Sequence, residues 1–181
     1  MHKLSWNKIT SEERIPQKAS GNAGKYRSEI ESDYHRIIRS ASFRRLQDKT
    51  QVFPLDHSDF VRTRLTHSLE VSSIAKLIGK QVCMQVLEQQ RSPVEDAPDS
   101  LKVIEILNCA GLLHDIGNPP FGHFGESAIR NWFEKNLSHL DYKGKPLMAW
   151  LDEQQAADLL YYEGNAQALR IITKLHRLTG R

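Results

Sequence analysis

The sequence predicts an all-α protein. Apolar residues recur at helical spacing over 33–49, 66–90, 101–116 and 153–178. All seven prolines fall outside those four segments, where they can end helices without breaking them. With 181 residues the chain is long enough to bury one substantial core. The expected organisation is an N-terminal arm over 1–32 and a helical domain over 33–181.

Residues 1–32 are polar and carry Pro16, Gly21 and Gly24, so they read as an extended arm anchored by Trp6. From Asp33 to Lys49, a stripe of Ile37, Ile38, Ala41 and Leu46 predicts a helix whose polar side bears Arg36, Arg39, Arg44 and Arg45. Between 33 and 66 there are seven Lys or Arg against four Asp or Glu. Arginine forks of this kind match phosphate oxygens well. The short apolar run Gln51-Val52-Phe53 is cut by Pro54, and a loop with Asp56, His57 and Asp59 follows. No framework helix holds those three residues, so they read as surface or substrate-side groups.

Residues 66–90 predict a long helix with a broad apolar face, and His67 falls in its first turn. An acidic loop over 91–100 leads to a buried helix over 101–116, apolar nearly all round after Ile106. Two prolines and two glycines then specify a tight turn through Asn118, Pro119, Pro120, Gly122 and Gly125. Ser127 to Leu137 read as a short amphipathic helix, and 138–152 as a mixed loop. The last helix is expected over 153–178, interrupted by Glu163-Gly164-Asn165-Ala166-Gln167. A glycine within a helix costs about 1 kcal/mol relative to alanine, which suggests close packing or room for a ligand at Gly164.

Composition narrows the function. Hydrophobic residues make up 39% and charged residues 26%, ordinary for a soluble globular protein. No apolar run approaches membrane-spanning length, and the first residues lack a secretory core. Cys83 and Cys109 both lie in apolar helical patterns, as buried thiols in a reducing compartment would. The expected location is therefore cytoplasmic, with no membrane partner. A net charge of +3 is too small to imply nucleic acid, yet suits a polyanionic small substrate.

The chemistry centres on His114-Asp115, at the end of the apolar run from Leu107. Burying a carboxylate is costly unless something pairs with it. A divalent cation is one such partner, and imidazole with carboxylate suits Mn, Mg, Fe, Co, Ni or Zn. His67, one helix earlier, is the best third ligand. His123 and Glu126, three residues apart, can meet if Glu126 lies on a helix, so that the carboxylate orients the imidazole for catalysis. Arg64 is the first choice for a phosphate contact, with Arg44, Arg45 and Lys49 behind it. Gln47, Gln51, Asn118, Asn165 and Gln167 offer amides that can read a sugar or base.

These residues together resemble the HD-domain deoxynucleoside triphosphate triphosphohydrolases. The resemblance runs through Ser5-Trp6, Phe43-Arg44-Arg45-Leu46, Lys49-Thr50-Gln51-Val52-Phe53, the stretch from Arg62 to Val71, the stretch from His114 to His123, and Glu163-Gly164-Asn165-Ala166-Gln167. It implies an all-helical HD-domain bundle, incomplete at its C-terminus, with His67, His114 and Asp115 as metal ligands. The family's fourth ligand is an aspartate further downstream, and none of Asp141, Asp152 and Asp158 sits in the matching motif. The chain is therefore expected to be an N-terminal portion of a longer enzyme, impaired or inactive alone.

The implied reaction converts a deoxynucleoside triphosphate, dGTP among them, and water to a deoxynucleoside and inorganic triphosphate. His123 would protonate the leaving 5' oxygen, and Glu126 would orient it. The resemblance further implies homo-oligomers and, for some relatives, single-stranded DNA binding. The alternatives are another HD-domain nucleotide phosphohydrolase and a non-catalytic regulatory or nucleic-acid-binding fragment.

Overall fold

The computed structural model describes residues 5–13, 27–51, 58, 60–89 and 99–175, with side chains of 87–89 excepted. The loop residues Asp56, His57 and Asp59 and most of the acidic loop lie outside those residues. The described chain is all-α apart from one small hairpin and a lone bridge between Thr50 and Thr63. Its helices are α1 (Trp6–Ile9), α2 (Glu29–Arg39), α3 (Ala41–Arg44), α4 (Arg64–Gln89), α5 (Ser100–Leu113), α6 (Gly122–Asn136), α7 (Glu153–Leu160) and α8 (Gly164–Arg170), joined by short 3-10 turns and followed by a π turn at Ile171–Leu175. β1 (Asp141–Tyr142) and β2 (Lys145–Pro146) pair antiparallel. No helix among the described residues is long and apolar enough to cross a membrane.

Two compact units emerge. The first comprises residues 1–45 and 65–113, the second residues 46–64 and 114–181.

In the first unit, α2 starts inside the segment expected to be an arm. Ser28 and Glu31 form a reciprocal capping box there, satisfying two N-terminal amides. The helix expected from 33 to 49 divides at Ser40. That residue closes α2 with an extended backbone, and its hydroxyl accepts from the Phe43 amide to start α3. A side chain that caps the next helix ends the previous one, a competition invisible to apolar spacing. α2 packs on α5. α4 and α5 approach closely over small residues: a Cβ on Gly111 would lie 2.5 Å from the Ser72 Cα. The Ser72 hydroxyl donates to the Asn108 carbonyl at 2.9 Å and also meets the Asn108 side chain.

In the second unit, α6 begins five residues earlier than expected. Phe121 and Gly122 both adopt positive φ, 65° and 54°, which turns the chain sharply after the two prolines. A left-handed phenylalanine is uncommon, whereas glycine accepts that region freely. His123 and Glu126 consequently share the first turns of α6. The single helix expected over 153–178 is instead α7, a break, and α8. Asp152 and Gln155 form a capping box on α7, and the Glu163 carboxylate caps α8 by accepting from the Ala166 amide at 2.7 Å. Gly164 is therefore the first residue of a helix rather than an interruption of one.

Candidate functional site

The loop after α5 carries the His-Asp pair. Asp115 is only 5% exposed, and its carboxylate is held from two sides. Arg64, itself 4% exposed, donates from Nη1 to Oδ2 at 2.9 Å. The Asn118 side-chain amide donates to Oδ1 at 2.6 Å. His114 Nε2 stands 3.5 Å from the same Oδ2. Buried charge persists only when paired in this way. Lys49 completes the turn by donating its ammonium to the Asn118 carbonyl at 2.7 Å.

Among the described residues, His67, His114 and Asp115 are candidates to hold a metal ion, each offering one ligand atom. His67 follows Arg64 by one turn of the continuous helix α4. Two imidazoles and a carboxylate suit a first-row divalent ion. The late aspartates are occupied elsewhere: Asp152 caps α7, Asp158 accepts from Gln154 and pairs with Arg170 at 3.6 Å, and Asp141 lies exposed in β1.

A second polar group is built on α6. The His123 side chain is 87% exposed, yet its Nδ1 lies 3.0 Å from Glu126 Oε2. Glu126 is 3% exposed, and its other oxygen accepts the Gly164 amide N–H at 2.7 Å. A buried carboxylate that fixes one nitrogen of an exposed imidazole leaves Nε2 for proton transfer. Tyr162 lies nearby and donates to the Gly117 carbonyl at 3.4 Å. Burial raises its phenol above the usual value, with the Glu126 charge adding to the effect. Glu163 is displaced the other way: hydrogen bonds from the Ala166 and Asn165 amides lower its carboxyl, and the His123 charge contributes in the same direction.

The remaining residues singled out from the sequence fall into distinct settings. Arg44 and Arg45 are exposed. Gln47 is exposed and accepts from the Thr63 hydroxyl at 3.3 Å. Gln51 Oε1 is buried without a hydrogen-bond partner among the described residues. Asn165 is exposed and donates to Glu163 at 2.9 Å, and Gln167 is half-buried on α8. The side chains of Arg64 and Asn118, expected to touch substrate, hydrogen-bond to Asp115. Sequence reasoning missed that holding role, and also the amide of Gly164 as the second partner of Glu126. The signal for the latter was present in the glycine itself, at a position where close packing was expected.

A family model for the HD domain matches residues 64–177. A deoxyguanosinetriphosphate triphosphohydrolase-like protein of Listeria monocytogenes is 52% identical over 178 residues, 97% of this chain and 38% of the relative. A protein of the same description from Pseudomonas aeruginosa is 41% identical over 98% of this chain and 38% of the relative. A deoxyguanosinetriphosphate triphosphohydrolase of Klebsiella pneumoniae is 42% identical over 82% of this chain and 33% of the relative. The chain thus spans little more than a third of the length of these relatives. With the His-Asp pair inside the matched segment, this chain belongs to the HD-domain family.

Proposed function

We propose that this polypeptide carries the metal and proton-transfer groups of a deoxynucleoside triphosphate triphosphohydrolase, which acts in the cytoplasm on the nucleotide pool. The observation that carries the reading is the pairing of a buried Asp115 beside His114 with an exposed His123 backed by Glu126. The names of the relatives supply the substrate class, with dGTP the first substrate to test.

His67, His114 and Asp115 would hold a divalent ion, which supplies Lewis acidity at the innermost phosphate. Arg64 and Asn118 hold Asp115 in place and orient its carboxylate, a task distinct from touching substrate. Water adds to the α phosphorus as the bond from that phosphorus to the 5' oxygen breaks. His123, oriented by Glu126, gives its proton to the departing 5' oxygen. Acid–base assistance of this type is worth roughly 10²–10⁴ in rate. Arg44, Arg45 and Lys49 supply positive charge for the phosphates. Gln51, whose buried Oε1 has no hydrogen-bond partner among the described residues, suits a hydroxyl or amino donor on the sugar or base; Gln47, Asn165 and Gln167 are further polar contacts.

The test is product analysis with dGTP and each candidate ion in turn. Stoichiometric deoxyguanosine and inorganic triphosphate support the reading, whereas pyrophosphate or orthophosphate release assigns the site to another phosphohydrolase reaction. In the active polypeptide, His123→Ala lowers the rate by roughly 10²–10⁴ and leaves metal content intact. Loss of the metal in that variant would make His123 a ligand or a structural residue.

A further inference from the structure

The position where the two polar groups meet is Gly164. Its amide N–H donates to Glu126 Oε1 at 2.7 Å, while Glu126 Oε2 faces His123. A Cβ built on Gly164 would stand 2.6 Å from Glu126 Oε1 and would collide with the Asn118 side-chain oxygen. Asn118 in turn donates to Asp115. One missing methyl group therefore leaves room for the partner of Asp115 and the partner of His123 at the same spot.

The surroundings give that spot little freedom. Glu163 caps α8 immediately before it, fixing the direction of the first turn. A Cβ on Gly117 would collide with the Gly164 carbonyl and the Ala168 amide, so the His-Asp loop lies directly against α8. Neither backbone can retreat cheaply, because both Gly117 and Gly164 are buried. An added methyl group must then displace side chains, and the two nearest are Asn118 and Glu126. Overpacking of this kind in a close-packed interior is not absorbed evenly but moves whatever can rotate.

We propose that Gly164 is a positioning residue, whose amide sets the orientation of Glu126 and hence of His123, and whose lack of a side chain seats Asn118 against Asp115. This proposal rests on the triphosphohydrolase reading for its kinetic consequence, but its geometric content stands without it. The glycine acts through Glu126 and Asn118 and touches no reacting atom.

The experiment has a spectroscopic arm and a kinetic arm. In the first, the Gly164 amide is followed by proton–nitrogen NMR in the wild-type chain and in Glu126→Ala. A short hydrogen bond to a buried carboxylate predicts an upfield move of the Gly164 amide proton and faster exchange with solvent in the variant. An amide unmoved by Glu126→Ala overturns the proposal, and this arm needs neither turnover nor a folded Gly164 variant. In the second, Gly164→Ala is compared with His123→Ala and with the double variant in the full-length active polypeptide. The expected result is a kcat lowered about 10-fold or more with KM within about 3-fold, since the lost contribution is part of the acid–base term. The double variant should be slower than His123→Ala by clearly less than the full Gly164→Ala factor, because the share of that factor carried by Glu126 acts through His123. Single effects that multiply would place Gly164 outside the His123 group and overturn the kinetic claim. Arg170→Ala, a surface change on the same helix, should leave kcat unchanged. If His123→Ala itself leaves turnover unaltered, the triphosphohydrolase mechanism fails, while the NMR arm still decides the role of Gly164.

Discussion

In the first unit, α4 and α5 come together over Gly79, Gly111 and Ser72, and Leu112 on α5 and Cys83 on α4 are buried. In the second unit, the His-Asp loop, α6 and α8 meet through Asp115, Asn118, Glu126 and the amide of Gly164. Both places use glycine to bring backbones close. They differ in what the closeness serves. In the first unit it lets apolar volume pack, and such packing is judged by size and shape. In the second it brings specific donors to buried carboxylates, and such contacts are judged by chemical identity. The first arrangement should tolerate swaps of similar volume, while the second should tolerate almost none.

The severest test is Asp115→Ala. It removes a proposed metal ligand and strands the buried Arg64 guanidinium, a type of loss that costs about 3–5 kcal/mol. We expect loss of metal binding, measured by elemental analysis, together with a large fall in the denaturant midpoint. Retained stoichiometric metal would remove Asp115 from the site.

Leu112→Ala probes the other kind of region. Leu112 is fully buried, so the cavity should cost about 2–5 kcal/mol in urea unfolding. Leu112→Met, close in volume, should cost less than about 1.5 kcal/mol. Equal losses for the two variants would show that the first unit is as exacting as the second.

Gly111→Ala places a methyl group against the Ser72 backbone, and an overpacked contact of this sort costs about 1–3 kcal/mol. Calorimetry should show a lowered Tm, and product analysis should show the reaction type unchanged.

The smallest effect concerns pH. The Glu163 carboxyl is lowered below its usual 4.5 by the amides it caps. Its share of stability is therefore present above 4.5 and is lost as the pH falls through the lowered folded value. Glu163→Gln should flatten that part of the acid unfolding curve, monitored by circular dichroism, and leave the curve at neutral pH nearly parallel to wild type. By contrast, burial raises the Cys109 thiol to about 11, so it should react far more slowly at pH 8 than an exposed thiol does.

The legibility of the chain follows the same division. Apolar periodicity announced α4 and α5 to within a few residues, because a long helix must repeat its buried face every turn. It misjudged 33–49 and 153–178, where Ser40 and Glu163 cap new helices inside a pattern that looks continuous. Caps are decided by one side chain and leave little trace in an average over a window. The start of α6 was set late for a related reason: the left-handed turn at Phe121 and Gly122 begins the helix early, and a phenylalanine does not advertise that conformation.

The sequence alone determined the helical class and the identities that chemistry requires: paired histidine and aspartate, a histidine three residues before a glutamate, and a glycine where none was needed for a turn. Spacing suffices for these, since residues three or four apart on a helix are neighbours whatever surrounds them. Only the tertiary structure decided that Arg64 and Asn118 are turned onto Asp115 and that Gly164 gives its amide to Glu126. Those partners lie 51, 3 and 38 residues apart along the chain. For the two distant pairs no local rule sets the distance, and the burial that makes each hydrogen bond obligatory exists only after the helices have packed.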